Sequence, residues 1–243
     1  KHLMESIIQQ GEDVLVAPLD FSIGNNAAQY IVSKEEATFF SSQNLVSSNG
    51  VKIAKFQVGQ PTGFLDLSSL YFRFLLKNTA GSGSLTPLTA EAHCLFSRLI
   101  VRAAGTLIES IELFSTSEEY ARRLLPLEKR QNLSNMFLGS SGGSNGHDLI
   151  PNSLGFGETR LCLFRPMTSA VLNLKKYWPA LLLGAQGLTF ELELASPGDA
   201  MVDAASTYEL SDLRILCNVV QLDSTLTDPV SYTHLTLPTT AYV

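Results

Sequence analysis

Charge is scarce in this chain. Asp, Glu, Lys and Arg make up 16% of its 243 residues, against roughly a quarter in ordinary globular domains. A formal charge of −6 leaves no electrostatic footprint for nucleic acid. The only basic cluster is Arg122, Arg123, Lys129 and Arg130. Long apolar runs are missing too, so no stretch approaches the roughly 20 residues of a membrane-spanning helix. The first residues lack the basic-then-apolar layout of a secretory signal, and Asn132-Leu133-Ser134 therefore reads as a chance glycosylation sequon. Cysteine is limited to Cys94, Cys162 and Cys217, each inside an apolar run at wide spacing. That pattern predicts buried free thiols in a reducing compartment, not disulfides. His2, His93 and His147 share no ligand spacing with one another or with the cysteines, so no metal-binding residue is assigned.

The stretch Gly187 to Asp223 organises what is present. Leu188, Phe190, Leu192 and Leu194 alternate with Thr189, Glu191 and Glu193, the period of a half-buried strand. From Tyr208 to Leu222 the pattern turns apolar on both faces, with Leu213, Ile215, Cys217 and Val219 on one side and Leu216, Val220 and Leu222 on the other. Such a strand needs cover on both faces, from a second sheet or a neighbouring subunit. On this reading Leu216→Asp would place an unpaired charge in a covered site.

Residues 1–26 carry several breakers and read as an N-terminal arm. Short strands are expected at Tyr30 to Val32, Ala37 to Phe40, Val51 to Val58 and Leu70 to Lys77, with Asn49-Gly50 as a hairpin turn. Further strands follow at Leu95 to Ala103, Thr106 to Leu113 and Arg160 to Phe164, with short apolar elements at Ala170 to Leu174 and Leu181 to Leu183. Glu109 shares a face with Leu107, Ile111 and Leu113, which predicts an edge or inter-subunit position. A helix is expected over Ser117 to Leu125, with Ser115/Glu118 or Thr116/Glu119 as a capping box, and a second over Leu127 to Met136. The run Pro229 to Thr240, PVSYTHLTLPTT, resembles the translation of a transposase-type sequencing-library adapter, and residues 229–243 are set aside as a non-native tail. The domain expectation is therefore one unit over 27–228.

Eight to ten short strands with one short helical insertion make an all-β sandwich of two antiparallel sheets, with a jelly roll and an immunoglobulin-like sandwich as the candidate topologies. No Cys–Trp–Cys arrangement supports the latter. The Gly-rich run Gly139 to Gly146 lacks the Lys-Ser/Thr pair of a phosphate loop and does not lie between a strand and a helix start, so it reads as a surface loop. His147-Asp148 reads as a polar loop end, Glu191/Glu193 as a solvated outer face, and Trp178 as a buried or interface anchor. No catalytic, cofactor-binding or metal residue is assigned.

Several segments together resemble a known family. Phe39-Phe40-Ser41-Ser42-Gln43-Asn44 and Gly63-Phe64-Leu65-Asp66-Leu67, entering Tyr71-Phe72-Arg73-Phe74, are similar to the opening of the first jelly roll of double jelly-roll major capsid proteins of polinton-like viruses, virophages and related DNA viruses. Leu99 to Val101 with Leu107 to Glu112, then Lys175-Lys176-Tyr177-Trp178-Pro179, Leu188 to Leu194 and Tyr208 to Leu213, continue the likeness. The resemblance implies a jelly-roll domain, the first of two in an intact protein, acting as a structural capsid subunit without cofactor or turnover. It implies self-association into homotrimeric capsomers, contacts with neighbouring capsomers and possible minor capsid partners, and a place in the virion after assembly inside the host cell. The alternatives are a single jelly-roll minor capsid or vertex protein, a carbohydrate-binding β-sandwich module, and an enzyme on a cupin-like scaffold.

Overall fold

The computed structural model describes residues 31–59, 63–81, 83–142, 149–180, 187–203 and 205–222. The expected arm, the adapter-like tail, the element at Leu181 to Leu183 and the pair His147-Asp148 lie outside them. Twelve strands follow in chain order: β1 (Ile31–Phe40), β2 (Leu45–Ser47), β3 (Ile53–Val58), β4 (Phe64–Asn78), β5 (Phe96–Ala103), β6 (Thr106–Ile111), β7 (Ser140–Gly142), β8 (Leu149–Pro151), β9 (Thr159–Phe164), β10 (Trp178–Pro179), β11 (Leu188–Leu194) and β12 (Tyr208–Leu222). Two longer helices interrupt them, α1 (Phe114–Arg123) and α2 (Leu127–Asn135), with a 3-10 turn at Ala92–Leu95 and a four-residue helix at Pro197–Ala200.

The pairing is nested. β1 pairs with β12, β3 with β11, β4 with β9 and β5 with β6, all antiparallel. Each partner found from the front of the chain is matched by one counted back from its end, as in a long two-ply ribbon rolled upon itself. Rolling places β1, β12, β4 and β9 in one sheet (sheet A) and β3, β11, β5 and β6 in the other (sheet B). Eight strands so connected are a jelly roll. β2 and β10 add short pairings to sheet A, while β7 and β8 form a separate ribbon.

The inward residues of the two sheets interlock through phenylalanine. Phe72 of sheet A meets Phe56 and Phe190 of sheet B edge-on, with ring centroids 5.3 and 6.0 Å apart. Phe74 meets Phe96 at 5.8 Å, and Phe96 stacks on Phe164 at 5.6 Å. Each buried ring removes enough apolar surface to contribute about 1.5–3 kcal/mol, with edge-on contacts adding a fraction more. Tyr208 is buried as well, and its hydroxyl donates to the Ala195 carbonyl at 2.8 Å.

Several expectations need correction. β1 is one ten-residue strand instead of two pieces, because Ser33 to Glu36 continue its pairing with β12 as an exposed edge. Asn49-Gly50 does turn the chain, yet β2 pairs with β12 and β3 with β11, so the turn crosses between sheets and makes no hairpin. The hairpin lies instead at Ala104-Gly105, where both residues take positive φ (47° and 83°) between β5 and β6. Ala170 to Leu174 is a turn, and Ser140 to Gly142 of the Gly-rich run form β7. The helix α1 begins at Phe114, and neither capping-box pair forms a cap hydrogen bond.

The long strand β12 also departs from simple alternation. Tyr208 and Leu210 point inward, yet so do Leu213, Ile215 and Cys217. A register shift between Ser211 and Arg214, with Asp212 at φ 51°, inserts the residue that changes the parity. Arg73 and Arg214 hold that strained position, each donating to the Asp212 carboxylate at 2.7 Å. Leu216 consequently faces outward opposite Tyr71 and is half-buried, not enclosed.

Candidate functional site

The helical insertion is the part of the molecule that the sandwich itself does not require. α1 follows β6 directly and places Phe114 on the Phe164 ring, 5.9 Å between centroids, closing the side of the sandwich between β6 and β9. One turn further along the same buried face come Glu118 and then Arg122, both charged and both buried. Charges at such positions survive only when fully partnered.

Here the partners are present. The Arg122 guanidinium donates to Glu91, to Glu118 at 3.2 Å and to the Arg165 carbonyl at 2.9 Å, and it lies 5.7 Å from the Phe164 ring centroid. Oε1 of Glu118 accepts from the backbone N–H groups of Met167 and Thr168 and from the Thr168 hydroxyl, at 2.8, 2.7 and 2.7 Å. Burial pushes the Glu91 carboxyl above its ordinary value while Arg122 pulls it back. Glu109 accepts from the Ser169 hydroxyl and the Ala170 N–H, both at 2.7 Å, and so sits on the edge strand as its pattern implied. Residues 167–170 are thus pinned to α1 by one carboxylate and to β6 by another.

A second carboxylate of α1 has a different neighbour. Glu119 pairs with the fully buried His93 at 3.0 Å and with Arg123 at 2.7 Å. The bond from His93, aided by Arg123 against partial burial, holds the Glu119 carboxyl at about 2. A cleft of about 440 Å³ opens over these groups, lined by Leu88, Thr89, Glu91, Glu119 and Arg123 among others. Glu91, Glu119 and Arg123 are engaged in the pairs above. Among the described residues, the cleft aligns no nucleophile with a base.

Glu191 pairs with Lys55 and Arg102 (3.4 and 3.9 Å), and Glu193 with Arg98 (2.9 Å), so this outer face is internally matched. Arg122 leaves the proposed basic cluster altogether, being buried. The letters Gly139-Ser140-Ser141-Gly142-Gly143 spell the Gly-x-Ser-x-Gly pattern, yet Ser141 lies inside β7, paired with Ile150 in a two-stranded ribbon. Trp178 is half-buried in β10 against the core. All three cysteines are free and buried, with burial pushing Cys94 up to about 11 and Cys162 and Cys217 up to about 12. Among the described residues, no group of three or more His, Cys, Asp or Glu is placed to hold a metal ion, and no helix is long and apolar enough to cross a membrane.

The opposite face of α1 was not anticipated. Leu113, Tyr120 and Leu124 are 73%, 71% and 88% exposed. They recur at seven and four residues, one stripe of the helix surface. Phe114, Glu118 and Arg122 of α1 face the sandwich, while Tyr120 and the flanking Leu113 and Leu124 stand exposed. Both stripes were present in the sequence, but periodicity alone cannot say which one faces the core.

No protein-family model matches this sequence, and no curated protein matches it. Solved structures do. The Faustovirus major capsid protein aligns over 90% of this chain and 62% of its own length, at 7% identity and a TM-score of 0.55. PBCV-1 VP54, fitted into a cryo-EM reconstruction of the virophage Sputnik, aligns over 86% of this chain and 46% of its own length, at 12% identity and a TM-score of 0.50. The chain therefore spans between about half and three-fifths of the capsid proteins it matches. Its fold is the jelly-roll β-sandwich that these viral proteins share.

Proposed function

We propose that this chain is a structural capsid protein, a non-enzymatic β-sandwich whose work is to associate with copies of itself in a viral shell. The observation that carries the reading is the nested pairing of β1/β12, β3/β11, β4/β9 and β5/β6, which aligns with the Faustovirus major capsid protein over 90% of the chain. Placement in the virion, trimeric capsomers, contacts with minor capsid proteins and a second jelly roll in the intact protein belong to the same proposal. The charged groups support it, because the buried ones are spent on internal pairs and none is set up for turnover. β1 and β12 meet at Ile31 and Leu222, so chain entering and leaving the domain would do so side by side at the edge of sheet A.

The test is recovery of the same open reading frame past Asp228 by long-read sequencing of its source. The expected result is another sandwich of comparable size, giving the length of the matched capsid proteins. A stop soon after Asp228 would replace this proposal with a single jelly-roll minor capsid protein or a binding module.

A further inference from the structure

Asparagine is followed by glycine at Asn49-Gly50 and at Asn145-Gly146, and the first pair lies within the described residues. It forms the turn by which the chain leaves β2 for β3. The Gly50 N–H donates to the Ser47 carbonyl at 3.2 Å, and the Ser47 N–H donates to the Val51 carbonyl at 2.9 Å. Ser48 is buried and fixes this turn to the start of β12. Its N–H donates to the Tyr208 carbonyl at 3.1 Å, and its hydroxyl accepts from the Tyr208 N–H at 3.2 Å. Asn49 itself stands exposed, and its side-chain amide takes no part in these bonds. Position 50 is fitted to glycine, because a Cβ there would approach the Ser47 Oγ to 2.7 Å. The same lack of a Cβ leaves the Gly50 nitrogen open to the Asn49 side chain.

We infer that Asn49 is a site of spontaneous backbone rearrangement, and that the turn carrying it restrains the reaction. The Gly50 nitrogen gives up its proton and bonds to the Asn49 Cγ. The bond from Cγ to Nδ2 breaks, and ammonia leaves with that proton. The resulting succinimide takes up water at either of its two carbonyls, giving Asp or isoaspartate. Only water is consumed, and nothing is oxidised or reduced. In the closed turn the Gly50 N–H is committed to the Ser47 carbonyl, so the nitrogen reaches Cγ only after the turn opens. Isoaspartate routes the chain through its side-chain carbon and adds one carbon to the backbone. The spacing that closes Ser47 on Gly50 and Val51 is then lost. β2 is held to β12 by only three residue pairs, Leu45 with Ser211, Val46 with Leu210 and Ser47 with Glu209. Val46 and Ala54, on either side of the turn, are fully buried. The rearrangement therefore loosens the crossing from sheet A to sheet B. This inference does not depend on the capsid reading.

The experiment incubates the full chain at neutral pH, folded in buffer and unfolded in guanidinium chloride, and follows Asn49 by peptide mass spectrometry. Asn145 in the unfolded chain supplies the intrinsic rate of the same residue pair. Folded, Asn49 should convert roughly tenfold or more slowly than in the unfolded chain, since the hydrogen bonds of the turn must open first. Ser48→Ala removes the acceptor for the Tyr208 N–H and should raise the folded-state rate several-fold. The proposal is overturned if Asn49 converts at one rate in the folded and unfolded chain, or if it converts in neither. It is overturned as well if a cooperatively folded Ser48→Ala converts no faster than wild type. Should Ser48→Ala not fold, the wild-type comparison between folded and unfolded chain decides alone.

Discussion

The outer faces of the two sheets are built on opposite plans. On sheet B, Lys55, Glu191, Arg102, Arg98 and Glu193 form a lattice of alternating charge across β3, β11 and β5. On sheet A the corresponding outward positions hold Tyr71, Leu75, Leu163 and Leu216, all half-buried, with the exposed Leu161 beside them. Arg73 and Arg214 gather on Asp212 at the bulge, Lys77 stands opposite Glu209, and Lys34 pairs with Asp66 toward the edge. Both sheets contribute equally to the phenylalanine core, so the difference does not concern stability of the sandwich. It concerns what each face meets. A matched charge lattice is satisfied in water, whereas a half-covered apolar face loses little by being covered completely. In a low-charge chain, the placement of the few charges tells which face is already complete.

The largest test of this contrast separates core from face within one strand. Ile215 and Leu216 are adjacent on β12, one fully buried among the rings and the other outward. Ile215→Asp should cost more than about 4 kcal/mol and prevent soluble folding, since no partner can reach the new charge. Leu216→Asp should cost about 1 kcal/mol in the isolated domain, the transfer term of a half-buried leucine. Denaturant unfolding of both variants measures the gap. Equal losses would mean that the outer face of sheet A is as enclosed as the core, and the contrast with sheet B would be lost.

How much was legible in advance follows the range of each interaction. The alternation of β11, the inward set Phe72, Phe74 and Leu76, and the two helices are local patterns and could be read directly. The covering demanded by β12 was read correctly for its inward face, but the parity change at Asp212 was hidden, because a bulge leaves no mark on composition. The nested pairing joins residues as far apart as Ile31 and Leu222, which no window of periodicity spans. The buried network was missed for a different reason. Glu118 stands at capping-box spacing from Ser115, and local helix chemistry offered a sufficient account of it until Met167 and Thr168 were seen to be its partners.

The insertion is a third region, and acid should distinguish it from both faces. Glu119 has its folded-state pKa depressed to about 2, first by the bond with His93. A depressed carboxylate contributes stability that is complete above its unfolded value, roughly 4.3, and is lost as pH falls toward the folded one. Glu91 works in the opposite sense, since its pKa is raised by burial. Thermal unfolding of wild type should therefore weaken between about pH 5 and pH 2, and Glu119→Gln should flatten that slope while Glu91 is unchanged. An unaltered slope in Glu119→Gln would place the acid sensitivity elsewhere, with Asp66 and Asp212 on sheet A as the other depressed carboxylates among the described residues.

Sheet B should give the smallest effect, and its smallness is informative. Glu191 touches both Lys55 and Arg102, but at 3.4 and 3.9 Å, with Lys55 half-exposed. Glu191→Gln removes one charge from the lattice and leaves the strand alternation and the Phe190 contacts in place. The loss should stay under about 1 kcal/mol at low salt and shrink toward zero at high salt, as solvent-screened pairs do. A larger, salt-independent loss would mean that the lattice is shielded from water in solution, so that sheet B also has a partner.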